Sequence, residues 1–253
     1  MVLGLEFPPG SHLVNWQEIW FKGTPFAISK VVIVYILAVI LSFGFFFLAG
    51  RKRKLVPSGM QNIAEASLDF IRESVIMQTM GAQGLGWLPF LTTMFFFIFF
   101  INIFEVIPAF QMPGNARIAV PLILAVTVWF LYNIVGIRTQ GFGHYIKNMC
   151  VPPGVPKALL VIVVPIEFIS NFLVRPFSLA IRLFANMLAG HFILVTFALL
   201  TAALWGSTYV AAILPFSLLV ALTGFEVLVA GLQAFIFAIL TAVYIGGSMS
   251  PEH

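Results

Sequence analysis

Val31–Gly50, Ser74–Phe104 and Ile118–Ile137 each run without a single charged side chain. A helix needs about 20 such residues to cross the ~30 Å hydrocarbon core of a bilayer at 1.5 Å per residue. Backbone exposed to lipid must also satisfy its hydrogen bonds internally, so membrane-spanning helices are what these runs can form. Composition agrees: 61% of the 253 residues are hydrophobic, 9% are charged and the mean hydropathy is +1.06. A soluble domain carries roughly 25% charged residues, so a water-soluble enzyme is excluded.

The 13 Lys and Arg exceed the 9 Asp and Glu, but they fall in loops between spans, so the excess does not point to nucleic acid. The single cysteine, Cys150, excludes an internal disulfide and a cysteine-based metal cluster. His12, His144 and His253 show no metal-ligand spacing, and no metal or cofactor is expected. The start of the chain lacks a basic segment leading into a short apolar stretch and a small-residue cleavage site. The first apolar run is therefore expected to be a permanent span.

Four consecutive cations, Arg51-Lys52-Arg53-Lys54, follow that span. They are costly to translocate and attracted to anionic headgroups, which places this end in the cytoplasm and the N-terminus outside. Residues 1–27 are expected as an outside segment, 28–50 as the first span and 58–79 as a helix at the cytoplasmic interface. Ser58 and Gln61 have the spacing of a capping box. Met60, Ile63, Ala64, Leu68, Phe70, Ile71 and Val75 fall on one side, with Gln61, Glu65, Asp69, Arg72 and Glu73 on the other. The pattern serves equally a helix along the membrane surface and one packed on another subunit or a soluble face. Residues 88–137 form a two-span hairpin, turning outside near Pro108 and Pro113-Gly114. It returns to an acid-free loop, Arg138 to Lys157, that is cytoplasmic by the same rule.

Residues 158–248 contain only Glu167, Arg175, Arg182 and Glu226 as formal charges. A break at Trp205-Gly206-Ser207 leaves two helices of about 46 and 40 residues, roughly 69 and 60 Å long. Both exceed the hydrocarbon core about twofold, so they are expected to be strongly tilted or near-horizontal, or bent at Pro176 and Pro215. The C-terminus is cytoplasmic. The fold class is thus an all-α, multi-pass membrane protein.

At 100° per residue, Glu167, Asn171, Arg175, Ser178, Arg182 and Asn186 share a stripe about 100° wide and ~29 Å long. Such a stripe cannot face lipid. Glu226, Gln233 and Tyr244 form a second line on the last helix, within about 20° of one another. His191 lies about 180° from Arg182 and has Glu226 as an obvious partner. Ionisable groups at bilayer depth cost at least ~2.5–3.5 kcal/mol each, and they line ion paths or pair with one another. Pairs such as Glu167–Arg175 or Glu226–His191 would serve helix packing alone. Arg182 has no second acid left within the chain, so its counter-charge must come from elsewhere. Because arginine does not release its proton, it acts as a fixed charge that keeps a passing carboxylate ionised and repels a leaking proton. Glutamate and histidine can exchange protons.

The run Arg175-Pro176-Phe177-Ser178-Leu179-Ala180-Ile181-Arg182-Leu183-Phe184-Ala185-Asn186-Met187-Leu188-Ala189-Gly190-His191 resembles the signature of subunit a of rotary F-type ATP synthases. Gln233-Ala234-Phe235-Ile236-Phe237-Ala238-Ile239-Leu240-Thr241 and Asn102-Ile103-Phe104-Glu105-Val106-Ile107-Pro108 reinforce it, and the likeness runs from about Val31 to the C-terminus. The resemblance implies that Arg182 faces a ring of c subunits, with Asn186 and Gln233 beside it. It also implies that His191 and Glu226 line a proton half-channel, as an acid–histidine pair exchanged relative to some members, and that Glu105 and Tyr244 belong to the proton paths. Ser178, Glu167, Asn171 and Arg175 join the candidate set through the stripe. No residue is expected to be catalytic. Implied partners are the c ring, peripheral-stalk b subunits and membrane lipid, in a bacterial cell membrane. A secondary transporter is the alternative, but the chain lacks the two related halves such proteins show.

Overall fold

A computed structural model of the chain describes residues 18–21, 23, 27–51, 54–107, 113–151, 155–156, 159–205 and 209–249. Lys52, Arg53, Pro108, Lys157, Gly206 and Ser207, and the outside segment up to residue 17, lie outside the described residues. A short antiparallel pair, β1 (Glu18–Trp20) with β2 (Ile28–Ser29), precedes the helices. Then come α1 (Lys30–Gly50), α2 (Met60–Ile71), α3 (Leu88–Val106) and α4 (Ala119–Gln140). They are followed by α5 (Phe142–Cys150), α6 (Leu160–Ile169), α7 (Arg175–Trp205) and α8 (Tyr209–Met249).

Among the described residues, five helical stretches are long and apolar enough to cross a membrane: Lys30–Gly50, Gly81–Val106, Ala119–Gln140, Leu160–Trp205 and Tyr209–Met249. The all-α membrane architecture expected from the sequence is what the chain adopts. Hydroxyl groups within the spans follow the same solvation rule as the backbone. Ser42 donates to the Ala38 carbonyl at 2.7 Å, Thr127 to Ile123 at 2.8 Å and Thr241 to Phe237 at 2.8 Å, each one turn back along its own helix.

The helix starting at Met60 departs from the expected capping box. Gly59, at φ 62°, occupies the N-cap and no side chain caps the helix. That left-handed turn carries Ser58 off the helix axis. Gln61 instead clasps the Lys54 backbone, its Oε1 accepting from the amide at 3.0 Å and its Nε2 donating to the carbonyl at 2.9 Å. The helix continues through a π turn, Arg72–Ile76, to Met77–Thr79. Ala64, Ile71, Val75 and Ile76 are buried, whereas Met60 and Ile63 of the expected apolar side stay exposed.

The chain divides into two units. The first comprises residues up to Gly44, Phe96–Arg117 and Leu183–Ala234; the second comprises Phe45–Phe95, Ile118–Arg182 and the residues from Phe235 on. In the first, Val34 and Ala38 of α1 pack with Ile101 and Phe104 of α3 and Met187 of α7. A short 3-10 turn, Gly114–Ala116, is fully buried there. Gly114 is required at this point: a Cβ would meet Ile101 Cγ2 at 2.8 Å, and its carbonyl accepts from the Tyr35 hydroxyl. In the second unit, Ile71, Val75 and Ile76 pack with Leu91 of α3 and Ala242 of α8. Lipid tails are as apolar as these side chains, so within the bilayer close packing and polar contacts, rather than water exclusion, hold such helices together. At the end of α8, Thr139 Oγ1 and Gln140 Nε2 both donate to the Ser248 carbonyl at 3.1 Å.

The long stretch Leu160–Trp205 is interrupted one turn earlier than Pro176 alone would place a bend. Ser170–Val174 form a π turn in which the Arg175 amide reaches back to the Ser170 carbonyl. Pro176 explains it: without an N–H it cannot serve the carbonyl four residues back, and its ring crowds that position, so the ladder loosens to the wider spacing. Pro215 lies inside α8.

Candidate polar sites in two units

The π turn changes the phase of the helix, and the six-residue polar stripe drawn at uniform pitch does not survive it. Glu167, Asn171 and Arg175 line a cavity in the second unit, whereas Ser178 and Asn186 are on the exposed side of α7, with Arg182 half-buried between them. The π turn also creates a hydrogen-bonding opportunity. Asn171's carbonyl loses the Arg175 amide to Ser170, and its next possible donor would be Pro176, which has none. The Tyr132 hydroxyl fills the gap at 2.8 Å.

Around that bond the second unit assembles side chains from α4, α5, α6, the π turn, α7 and α8. Asn171 Nδ2 donates to the Met149 carbonyl at 2.9 Å and to Glu167 Oε2 at 3.3 Å. The Arg175 guanidinium lies 5.3 Å from the centre of the Tyr244 ring, a cation–π distance, and Tyr244 packs on Tyr132 at 5.8 Å. Tyr145 donates to Asn133 Oδ1 at 3.1 Å. Its ring lies so close to Gly136 that no Cβ fits there. The cavity offers about 270 Å³ to water centres and is lined by Gln140, Tyr145, Asn148, Glu167, Arg175 and Tyr244 among others. Burial pushes the Tyr145 hydroxyl up from its ordinary pKa, so it stays a donor. It also raises the Cys150 thiol, with the Glu167 charge adding to the effect.

The first unit holds a tighter cluster. Glu105 near the end of α3 and His191 on α7 are almost completely buried, with Nδ1 of the histidine 3.7 Å from Oε1 of the acid. The expected His191–Glu226 pairing is thus replaced by His191–Glu105. Glu226 lies instead against Gly190: a Cβ there would stand 2.6 Å from Oε1 and 2.8 Å from Cδ. The facing glycine is what admits this carboxylate. Asn186 Nδ2 donates to Gln233 Oε1 at 2.8 Å. Gln233 Nε2 is buried with no hydrogen-bond partner among the described residues. Glu105, Glu226, Asn186, Gln233 and Asn102 line a cavity of about 10 Å³ for water centres, the size that holds about one water.

On the exposed side of α7, Ser178, Ile181, Ala185, Asn186 and Ala189 follow helical spacing around Arg182. Of these, Ser178, Ala185 and Ala189 are small, which lets another helix approach closely there. Arg182 makes no hydrogen bond or ion pair among the described residues. Tyr132, Asn133, Tyr145, Asn102 and Asn115 were not singled out as site residues from the sequence. Their shared signal is an amide or phenol inside or beside an otherwise apolar span.

Among the described residues the geometry supplies a buried acid beside a histidine, a polar cavity in each unit and, at Arg182, an arginine without an ion pair. Comparison with known proteins adds a family. A model described as ATP synthase A chain matches residues 31–246. The chain is 42% identical over 238 residues to a protein of Parafrankia sp. named ATP synthase subunit a, covering 93% of this chain and 81% of that one. A Rhodococcus erythropolis protein of the same name is 43% identical over 251 residues, covering 95% and 86%. A third, from Streptomyces lividans, is 37% identical over 259 residues, covering 99% and 90%.

Proposed function

The chain belongs to the ATP synthase A chain family, and from that premise we propose that its two cavities are half-channels separated electrically by Arg182. As a family member it is a membrane-sector, proton-translocating stator subunit. In our reading, protons pass between one aqueous side and the rotor through Glu105, His191 and Glu226. They pass between the rotor and the other side through the cavity of Glu167, Asn171, Arg175 and Tyr244. A ring of c subunits, each with a membrane carboxylate, packs on the small-residue face of α7, and the long α7 and α8 lie strongly tilted beside it. The peripheral-stalk b subunits hold the chain against the rotor. The N-terminus is outside and the C-terminus cytoplasmic in a bacterial cell membrane, and nucleotide chemistry belongs to other subunits.

One observation carries this reading: Arg182 is half-buried within the span and has no acidic partner among the described residues. An unpaired cation at bilayer depth costs several kcal/mol, and a passing carboxylate on a partner offsets that cost. The cation in turn keeps the carboxylate ionised until it has moved on. Asn186, exposed one turn along and held by Gln233 Oε1 through one of its two N–H groups, has the other ready to donate to the same carboxylate.

The test is ATP-driven proton pumping in inverted membranes carrying Arg182→Ala, with the exposed Arg138→Ala as control. Pumping is expected to vanish in an assembled Arg182→Ala complex and to persist in Arg138→Ala. Full pumping by assembled Arg182→Ala would overturn the stator reading.

A further inference from the structure

We propose that Asn115, on the buried turn Gly114–Ala116, is a positioning residue for the first-unit proton path: it locks the amide of Asn102 so that its donor end serves the carboxylates there. The proposal rests on the half-channel reading of that cavity and adds to it a residue outside the cavity.

Asn115 is 0% exposed, and a buried amide costs free energy unless it is bonded. Packing alone would favour an apolar residue on this turn, which meets Val34, Tyr35 and Ile101 at Gly114 and Met187 at the Asn115 backbone. Instead the Asn115 amide makes one directed side-chain contact, Nδ2 donating to Asn102 Oδ1 at 2.9 Å. Its backbone N–H is held separately by Met187 Sδ at 3.0 Å, and the turn is fastened by the Tyr35 hydroxyl on the Gly114 carbonyl. Asn115 is therefore rigid, and Asn102 is oriented by it.

The consequence follows from the inventory of an amide. Asn102 has one acceptor atom and one donor atom. With Oδ1 engaged by Asn115, what it offers the cavity it lines is Nδ2. Glu105 is one helical turn along α3 and lines the same cavity with Glu226 of α8. His191 of α7 faces Glu105, and at the turn itself are Tyr35, which donates to the Gly114 carbonyl, and Arg117, near enough to Tyr35 to act on it electrostatically. A donor held toward carboxylates favours their ionised form, which is the form that accepts the next proton. An Asn102 free to flip would present its oxygen half the time and make each carboxyl retain its proton. Asn115 thus adjusts proton release without touching the path.

The experiment measures passive proton flux through the assembled membrane sector in vesicles as a function of pH. Asn115→Leu and Asn102→Leu are each expected to move the half-maximal pH upward by about 0.5–1 unit, through loss of the donor. The double variant is expected to move it no further than either single one. Tyr35→Phe loosens the same turn but spares the amide pair, and its profile should move clearly less than that of Asn115→Leu. If Asn115→Leu fails to assemble, Asn115→Asp, of equal volume, is read in its place and is expected to shift the profile the same way. A profile unmoved in the assembled Asn115 variant, or moved equally by Tyr35→Phe, overturns the proposal. Glu105→Gln separates this from failure of the path itself. Loss of flux in Glu105→Gln with an unmoved Asn115 profile condemns only the Asn115 role, whereas unaltered flux in Glu105→Gln condemns the path.

Discussion

Replacing Gly190 by alanine separates packing from proton transfer, because the three heavy atoms nearest the added Cβ are those of the Glu226 carboxylate, which the proposed path uses. A Cβ at Gly190 would stand 2.6 Å from Glu226 Oε1, 2.8 Å from Cδ and 2.9 Å from Oε2. Relief to ordinary contact at about 3.4 Å or more requires the carboxyl to retreat by about 0.8 Å, and a displaced χ angle costs roughly 0.5–1.5 kcal/mol. Against that, alanine in place of a helical glycine stabilises by about 0.5–1 kcal/mol. The two nearly cancel, so Gly190→Ala is expected to assemble with unchanged thermal stability. Function does not cancel: misplacement of a reacting group by about 1 Å costs up to ~100-fold in rate. Pumping in inverted membranes is expected to fall by about 10- to 100-fold. Gly231→Ala is the matched control, since its Cβ would only graze Phe99 at 3.9 Å. Adding Glu226→Asp shortens the acid by roughly 1.5 Å and should restore part of the pumping. Wild-type pumping by Gly190→Ala, or a double variant no better than Gly190→Ala, would refute the reasoning.

Two further outcomes follow from the second unit. Tyr132→Phe removes the one donor to the Asn171 carbonyl, and stranding that buried group is expected to cost about 1–3 kcal/mol, read as a lowered Tm of the purified complex. Cys150 is buried and its thiol is held above its ordinary pKa by burial first and Glu167 second. Fewer thiolates at a given pH mean slower alkylation, so between pH 7 and 9 maleimide labelling should lag behind that of an exposed cysteine. Glu167→Gln should speed it, and a rate unchanged in that variant would rule out the electrostatic part.

The spans were readable because lipid imposes a demand that only long uncharged runs meet, and Val31–Gly50 or Ile118–Ile137 admit no second interpretation. The identity of the polar residues in Leu160–Trp205 was equally plain, but their grouping was not. Uniform pitch joins Glu167 to Asn186, whereas the missing N–H of Pro176 inserts a π turn and sends Asn171 and Arg175 toward Tyr132 and Tyr244. The proline was visible as a bend, but its effect on phase needs the neighbouring carbonyls. The His191–Glu226 pairing failed for a related reason. Helical angles place a side chain on a face but do not say which neighbouring helix supplies the partner, and α3 brought Glu105. Ser58 and Gln61 had the right spacing for a cap, yet Gly59 turned the chain first.

The Ser248 carbonyl, held by Thr139 and Gln140, has a consequence for the order in which the chain is built. Closing the 109-residue separation between Thr139 and Ser248 carries an entropic cost of about 4 kcal/mol by loop-closure scaling. Two hydrogen bonds return only about 1–3 kcal/mol net. They cannot initiate the docking of the last turn of α8. That task falls to Ala242 and its neighbours packing on Ile71, Val75 and Leu91, all of which are synthesised long before α8 emerges. The carbonyl clasp then acts as a latch that closes after seating. A chain truncated near residue 240 would lose the latch together with part of the surface that seats it, leaving α4 and α5 in place with an unfilled berth beside them.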